Sequence, residues 1–309
     1  MALKSVPEVA LSSGNAKAMP VLGLGTGGYP HLKPEEVVKA CLKQFSLLGY
    51  RMFDTAAFYQ TEEALGEAIA QAISRGLIKS RDELFITSKL WLHDNYGDRV
   101  LPALQKSLRD MKLDYLDQYL IHFPVSMKAG SDLFRLNPED TVAIDIKSVW
   151  TAMEECQSLG LTKSIGVSNF SCKKLADILA FAKIPPAINQ VELNPAWQQG
   201  KLRAFCQANG IKVAAYSPLG AAGAFWGTKG VLESEIALRW AYEQGIVIVM
   251  KSFNKERLKQ NLEIFGWELS DEESKKIAAI PQRRANLAEF FISETGPFKT
   301  LEELWDGEL

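Results

Sequence analysis

The sequence predicts an α/β fold, a closed (β/α)8 barrel of the TIM type in a single domain spanning residues 1–309. The first observation is a set of eight short apolar runs, most of them ending in or followed by a polar residue, as in buried parallel strands. The second is that helical patterns alternate with these runs along the chain, with no linker rich in Pro, Gly or Ser. Eight repeats favour a closed barrel over an open doubly wound sheet.

The predicted strands are, in order, VLGLGT (21–26), RMFDTA (51–56), LFITSKL (84–90), QYLIHFPV (118–125), SIGVSNF (164–170), INQVELN (188–194), KVAAYSPL (212–219) and IVIVMKS (246–252). Helical patterns precede the second to the seventh strand, at 33–49, 61–76, 100–113, 148–160, 171–182 and 200–210. Several of these patterns end in glycine, which is common just after a helix. The residues before the first run predict a β-hairpin. The tail that begins near residue 281 has no partner strand and is expected to lie over one rim of the barrel.

Composition argues against several classes of partner. The net charge is −2 and the pI is near 6.0, which favours neither nucleic acid nor an anionic membrane surface. The cysteines lack the spacing of a CxxC motif or a zinc site, so we expect reduced thiols and no bound metal. No run approaches the roughly 18 apolar residues of a membrane span. The sequence therefore predicts a cytoplasmic protein.

Polar side chains stand at the ends of the predicted strands. Because the C-terminal ends of the strands build the active site of a (β/α)8 barrel, we expect these side chains to converge on one mouth. They are Asp54, Lys89, His122, Asn169, Glu192, Ser217 and Lys251.

Four residues of this region have the chemistry of a carbonyl-reduction site. Tyr59 is a proton donor whose phenolate the Lys89 ammonium would stabilise, and the Asp54 carboxylate would keep that lysine charged. A neutral His122 would donate a hydrogen bond to a carbonyl oxygen. Each residue alone also has a structural explanation, as a satisfied core group, as packing or as a member of an ion pair. Their coincidence favours catalysis, because burying polar groups costs free energy.

A basic segment follows the last predicted strand. Lys251, Ser252, Lys255 and Arg257 fall at the start of a predicted helix, where cations and free N–H groups suit a phosphate. A solvated basic helix start explains the same residues. However, (β/α)8 barrels often bind phosphate after their seventh and eighth strands.

Long motifs in the same order resemble those of one family. They are MPVLGLGT, FDTAAFYQTEEALGEAI, LFITSKLW, DYLDQYLIHFP, SIGVSNF, INQVELNPAWQQ, AAYSPLG and KSFNKERLKQNLEIF. The chain resembles the aldo-keto reductases along almost its whole length. The stretches HFPVSMKAG, VWTAMEEC, SNFSCKKL and GPFKTLEELWDGEL are most similar to the plant group that holds chalcone reductase, codeinone reductase, methylecgonone reductase and deoxymugineic acid synthase.

The resemblance implies an NADPH-dependent oxidoreductase. Tyr59 would be the general acid, with Lys89 and Asp54 as its partners, and His122 would orient the carbonyl. NADPH would lie extended across the barrel mouth. Its contacts would be Ser168, Asn169 and Gln190 (carboxamide), Tyr216 (nicotinamide ring), Thr26 and Asp54 (ribose), Ser217 and Leu219 (pyrophosphate), Lys251, Ser252 and Arg257 (2′-phosphate) and Asn261 (adenine).

The sequence departs from the family pattern in places expected to shape the substrate pocket. Phe123 stands where Trp is commoner, Met52 replaces a usual His, and Gly27 and Gly28 stand where many relatives carry a large aromatic residue. The candidate pocket residues are Gly27, Gly28, Phe58, Trp91, His93, Phe123, Trp197, Phe225 and Trp226. Relatives usually have one more helix within 220–245, so one outer helix near Ser234 is expected to be shortened.

Two functions remain open from the sequence. The first is an NADPH-dependent reductase of a small-molecule ketone or aldehyde, in plant specialised metabolism (an alkaloid, polyketide or siderophore-precursor ketone) or in aldehyde detoxification. The second is a barrel that binds the cofactor with little or no turnover and has a regulatory role. The complete set of four polar residues favours the reductase, which we expect to be a monomer. A lyase or isomerase without a redox cofactor would leave the basic segment at 251–257 unexplained.

Overall fold

The computed structural model describes residues 6–12, 17–28, 32–47, 50–133, 135–221, 224, 227–228, 230–252 and 254–309. Its strands are, in chain order, β1 (Glu8–Val9), β2 (Met19–Pro20), β3 (Leu22–Gly25), β4 (Met52–Asp54), β5 (Phe85–Leu90), β6 (Gln118–Ile121), β7 (Val125–Met127), β8 (Thr141–Ala143), β9 (Ile165–Ser168), β10 (Ile188–Glu192), β11 (Lys212–Tyr216) and β12 (Val247–Met250). Strands β3–β6 and β9–β12 form a closed parallel barrel, which β12 completes by pairing Ile248 with Leu22 of β3. Each of the eight predicted runs therefore contributes one strand to the barrel.

Helices cover the outside of the barrel. They are α1 (Pro34–Leu47), α2 (Glu62–Ser74), α3 (Gly97–Met111), α4 (Ile146–Ser158), α5 (Cys172–Leu179), α6 (Gly200–Ala208), α7 (Ser234–Glu243), α8 (Lys255–Gln260), α9 (Asp271–Ala278) and α10 (Leu301–Trp305). The six helical patterns found in the sequence correspond to α1–α6. Side-chain caps fix the start of two of these helices, because Asp145 accepts from the Ser148 N–H and Ser171 from the Lys174 N–H.

The two-residue period of the strands explains how the site is positioned. In β4, Phe53 packs in the large core between barrel and helices, whereas Met52 belongs to an apolar layer inside the barrel. The next residue on the inner side is Asp54. The same alternation in β5 places Phe85 in the inner apolar layer and Lys89 on the inner side, four residues further. An apolar floor therefore lies beneath a layer of polar side chains.

The two ends of the chain close the two ends of the barrel. β1 pairs antiparallel with β2 as the predicted hairpin, and Val9 and Leu11 pack against the inner apolar layer. The tail lies over the opposite end, where Phe291 and α10 share an apolar cluster with Trp91 and Phe123. The predicted position of the tail over one rim is thus confirmed.

Several strands are shorter than the sequence predicts. The run 118–125 is not one strand: β6 ends at Ile121, and Val125 begins β7, which pairs with β8 in an antiparallel hairpin. The buried Asn95 amide donates to the carbonyls of Phe123 (3.0 Å) and Val125 (2.6 Å) and so holds the redirected backbone.

Backbone conformation ends two further strands early. Asn169 and Ser217 have φ values of 65° and 52°, in the left-handed region that cannot continue a strand. The polar residues that the sequence places at strand ends therefore lie just beyond them. This holds for Asn169 after β9, Ser217 after β11 and His122 after β6.

Between β11 and β12 the described residues contain one helix, α7, which begins at Ser234. The predicted shortening of an outer helix stays a prediction. Within the described part of the chain, no helix is long and apolar enough to cross a membrane. All four cysteines (Cys41, Cys156, Cys172, Cys206) are free and buried, and burial raises the pKa of each thiol to about 12.

Candidate active site

A buried ion pair lies at the centre of the barrel mouth. The Lys89 ammonium is 2.5 Å from Asp54 Oδ1 and also donates to the Thr55 carbonyl at 3.0 Å. Gln190 Nε2 donates to the other carboxylate oxygen of Asp54 at 2.8 Å. Burial lowers the pKa of Lys89, whose side chain has no exposed surface, while the charge of Asp54 opposes that shift. Both charges are thus compensated by partners, as buried charges require.

Tyr59 stands above this pair, in the 3-10 turn Ala57–Tyr59 that follows β4. Its hydroxyl is 3.3 Å from His122 Nε2, and the Lys89 nitrogen lies 5.0 Å from the centre of its ring. Burial raises the pKa of Tyr59, and the negative charge of Asp54 raises it further. The phenol is therefore protonated at neutral pH. The hydrogen bonds of Lys89 go to Asp54 and Thr55, and among the described residues none joins it to Tyr59.

His122 is neutral at neutral pH. Burial lowers its pKa well below the usual 6.5, and the nearby charge of Lys89 lowers it further. Its Nδ1 atom has no hydrogen-bond partner among the described residues. The structure therefore brings together all four residues that the sequence proposes for catalysis, with a protonated phenol beside a neutral imidazole.

Amide and hydroxyl groups proposed to hold the nicotinamide surround these four residues. Asn169 Nδ2 donates to the His122 carbonyl at 3.0 Å, and the Tyr216 hydroxyl donates to Asn169 Oδ1 at 2.7 Å. Ser168 Oγ donates to the carbonyl of Gln190 at 2.7 Å. These side chains meet at the neighbouring ends of β9, β10 and β11.

Thr26 is fixed at the proposed ribose position by buried hydroxyl groups. Its Oγ1 donates to the Asp54 carbonyl at 3.2 Å and lies 2.7 Å from Thr61 Oγ1. Thr61 in turn lies 2.9 Å from the Thr55 hydroxyl. The sequence analysis did not single out Thr61, since a threonine before a helix is ordinarily an N-cap and gives no signal of this contact.

The basic segment lies at the same end of the barrel, after β12. Lys251 and Arg257 are exposed and form no ion pair with another residue of the described ranges. Ser252 is buried, and its Oγ accepts from the Asn254 N–H at 3.3 Å.

Two of the N–H groups at this helix start are already hydrogen-bonded within the protein. Asn254 caps α8, and its Oδ1 accepts from the N–H groups of Glu256 (2.9 Å) and Arg257 (3.1 Å). A phosphate here would therefore be met by the side chains of this segment.

Two other predicted cofactor residues lie in the connections at this end. Asn261 is buried, with its Nδ2 2.8 Å from the sulfur of Met250. Leu219, two residues beyond Ser217, packs partly buried against the core.

Aromatic side chains form one wall of the mouth. Phe58 and Trp91 stack with ring centres 3.9 Å apart, and Trp91 and Phe123 lie 5.1 and 5.7 Å from the His122 ring. Phe291 of the tail is 5.3 Å from Phe123. Phe291 was missed in the sequence, because nothing in the order of residues indicates where a tail without a partner strand will pack.

Other predicted pocket residues have different surroundings. His93 Nε2 is 2.9 Å from Ser131 Oγ, which lies in the segment that connects β6 to α4. This histidine therefore helps to hold that segment in place. Trp197 packs 5.1 Å from the guanidinium of Arg284 in the tail. Phe225 and Trp226 lie outside the described residues.

Gly27 gives the Tyr59 ring room. A β-carbon built on Gly27 would lie 2.9 Å from Cε2 and 3.0 Å from Cζ of that ring, closer than such contacts normally are. Gly28 differs, because its added β-carbon would meet the flexible Leu32 side chain at 2.9 Å. The Tyr59 ring could not keep this position if residue 27 carried a side chain.

We expect Gly27→Ala to lower kcat by about tenfold to a hundredfold, because a displacement of about 1 Å in a catalytic group has an effect of that size. Gly28→Ala is the matched control and should keep kcat close to that of the unmodified protein. Steady-state kinetics with one aldehyde would check both variants. Equal losses in the two variants would contradict a specific effect of Gly27 on Tyr59.

Comparison with known proteins supports the interpretation of the barrel. The family model described as "Aldo/keto reductase family" matches residues 21–230, more than half of the chain. The chain belongs to the aldo/keto reductase family. This aldo-keto reductase is thus an oxidoreductase.

Similar proteins cover nearly the whole of this aldo-keto reductase. It is 53% identical over 320 residues to a (1S)-1,7-diacetoxy-luvungin A aldo-keto reductase of Citrus sinensis, covering 99% of both chains. It is 53% identical over 321 residues to NADPH-dependent codeinone reductase 1-5 of Papaver somniferum, again covering 99% of both. An aldo-keto reductase of Bombyx mori, crystallised in complex with NADP, superimposes with a TM-score of 0.80 at 35% identity, covering 91% of this chain and 95% of that one.

The Citrus alignment is 11 positions longer than the 309-residue chain (320 against 309). That relative therefore has at least 11 residues without a counterpart here. A shortened connection near Ser234 agrees with this difference in length.

Proposed function

We propose that this aldo-keto reductase reduces a bulky ketone or aldehyde to an alcohol with NADPH, with Tyr59 as the proton donor. The observation that carries the proposal is the pairing of a protonated Tyr59 and a neutral His122, 3.3 Å apart, above the buried Lys89–Asp54 pair. Relatives and the Bombyx mori structure, whose names specify NADPH or NADP, support the choice of cofactor.

The spacing of the two donors suits one carbonyl oxygen. The Tyr59 hydroxyl and the N–H at Nε2 of a neutral His122 would both donate to it, stabilising the negative charge that develops as the carbonyl carbon is reduced. Tyr59 would then transfer its proton to that oxygen. Lys89, held by Asp54 and Thr55, would stabilise the resulting phenolate through space.

The residues present fit NADPH, which when bound supplies the hydride. Ser168, Asn169 and Gln190 carry hydroxyl and amide groups of the kind that bind a carboxamide, and the partly exposed Tyr216 ring beside them offers a flat surface for stacking. The exposed cations Lys251 and Arg257 suit a 2′-phosphate.

The wall of the mouth supports a lipophilic substrate. Phe58, Trp91 and Phe123 offer apolar surface around His122, which favours a bulky carbonyl compound over a small polar one. The named substrates of the plant relatives, a diacetoxy-luvungin and codeinone, make specialised metabolism, including that of alkaloids, the proposed setting. We further propose that the enzyme acts as a single-domain cytoplasmic monomer.

A fluorescence titration with NADPH, followed by NADPH oxidation with carbonyl compounds, tests this function. Alkaloid ketones, polyketide intermediates, siderophore precursors and lipophilic aldehydes form the panel. We expect saturable NADPH binding and turnover with at least one class. Binding without turnover on any of the four would favour the regulatory alternative.

Arg257→Ala should raise the Kd for NADPH by about tenfold or more and leave the Kd for NADH almost unchanged, because charged hydrogen bonds to the 2′-phosphate contribute on this scale. Lys259→Ala is the matched control, because this exposed lysine lies two residues further along α8, and it should change neither Kd. Titrations with both cofactors at two ionic strengths would check this, since added salt should erode the preference. An equal loss for both cofactors would show that Arg257 supports the loop instead.

A further inference from the structure

The tail enters the barrel mouth at residues 284–286. The Arg284 guanidinium lies 3.7 Å from the centre of the Trp305 ring, and its Nη2 donates to the Glu308 carbonyl at 3.0 Å. The tail is thus folded back on itself at this point, with Arg284 buried between Trp305 and Trp197.

Glu192, the last residue of β10, fastens this part of the tail to the barrel. Its carboxylate accepts from the backbone N–H groups of Ala285 (3.2 Å) and Asn286 (2.9 Å). The side chain is almost fully buried, so these bonds satisfy a charge that would otherwise be costly. Glu192 therefore fixes the backbone of Asn286 beside the mouth. Among the described residues, its carboxylate forms no hydrogen bond with the four proposed catalytic residues.

The side chain of Asn286 begins a continuous path of hydrogen bonds. Asn286 Nδ2 donates to the Tyr216 hydroxyl at 3.2 Å, and that hydroxyl donates to Asn169 Oδ1 at 2.7 Å. Asn169 Nδ2 donates to the backbone carbonyl of His122 at 3.0 Å. Three bonds thus connect the tail with the backbone of the histidine that faces Tyr59.

We propose that Asn286 is a positioning residue that sets the Tyr216 ring and the Asn169 amide for the nicotinamide. This inference rests on the proposed function, in which Tyr216 stacks on the ring and Asn169 holds the carboxamide. The Tyr216 hydroxyl accepts one hydrogen bond and donates another, which fixes the rotation of the side chain about its own bonds. Without Asn286 the Tyr216 hydroxyl loses the amide that donates to it. The ring is then ordered only when the cofactor binds, which weakens the binding of the cofactor.

A double-mutant cycle on the Kd for NADPH tests the proposal. We expect Asn286→Ala to raise that Kd by about threefold to tenfold, the effect of one neutral hydrogen bond. In the Tyr216→Phe background, where Asn286 has no hydroxyl to hold, the same substitution should change the Kd by less than about twofold. Ser293→Ala, which removes a tail hydrogen bond to the Gly296 N–H, is the control and should leave the Kd unchanged.

The outcomes separate this inference from the proposed function. Equal effects of Asn286→Ala in both backgrounds, or an equal rise in Kd for Ser293→Ala, would overturn the positioning role and leave the cofactor placement standing. Tyr216→Ala removes the ring itself and should raise the Kd more than Tyr216→Phe does. An unchanged Kd in Tyr216→Ala would overturn the cofactor placement and this inference with it.

Discussion

Tyr59→Phe is expected to lower carbonyl turnover by ~10²-fold or more, the scale of lost general acid catalysis. The substitution removes the hydroxyl that lies 3.3 Å from His122 Nε2 and keeps the ring that packs beside Gly27 and Lys89. Because the ring stays, the Kd for NADPH should change little. Single-turnover rates and a fluorescence titration would measure the two effects separately.

Tyr115→Phe is the matched control for loss of a tyrosine hydroxyl. Tyr115 donates to Asp82, an exposed contact, and its variant should retain full turnover. Retained turnover in Tyr59→Phe would exclude this tyrosine as the proton donor. A large rise in the Kd for NADPH would instead indicate that the hydroxyl is needed for the structure of the mouth.

Lys89→Met is expected to lower both turnover and stability. The substitution leaves the Asp54 carboxylate buried without its cation, and breaking a buried pair in this way costs about 3–5 kcal/mol of unfolding free energy. Lys89 has no exposed side-chain surface and Asp54 has 3%, so water cannot replace the lost partner. Denaturant unfolding, with and without NADPH, would measure the loss.

The variant Asp54→Asn/Lys89→Met separates stability from chemistry. Neutralising both partners should recover much of the unfolding free energy, while turnover stays low because nothing stabilises the Tyr59 phenolate. The pKa of His122 should rise in Lys89→Met, since the lysine charge helps to lower it, and proton NMR of the imidazole would report this shift. Full turnover in the double variant would show that the ion pair serves only the fold.

The barrel and its mouth could be predicted because their signals are local. Eight apolar runs with polar residues at their ends place Asp54, Lys89 and His122 on one rim, and the two-residue period of the strands turns Asp54 and Lys89 inward. The left-handed backbone at Asn169 and Ser217 could not be predicted from such runs, so the observed strands end earlier than the runs predict.

Contacts between distant segments could not be predicted from the sequence. The bond from Gln190 to Asp54 joins residues 136 positions apart, and the polar residue Glu192, expected to line the mouth, binds the tail at Ala285 and Asn286 instead. One sequence contains no information on which strand end a tail without a partner strand will meet. The closeness of Gly27 to the Tyr59 ring likewise depends on the path of the turn after β4.

The transfer of deuterium from NADPH deuterated at nicotinamide C4 tests the central claim most directly. The unmodified protein is incubated with the labelled cofactor and the panel of carbonyl compounds, and the products are analysed by mass spectrometry. We expect at least one bulky ketone or aldehyde to yield an alcohol with a single deuterium on the former carbonyl carbon, and Tyr59→Phe to yield almost none at the same cofactor occupancy. Saturable NADPH binding with no labelled alcohol from any class, or equal labelling by Tyr59→Phe, would contradict carbonyl reduction at this site.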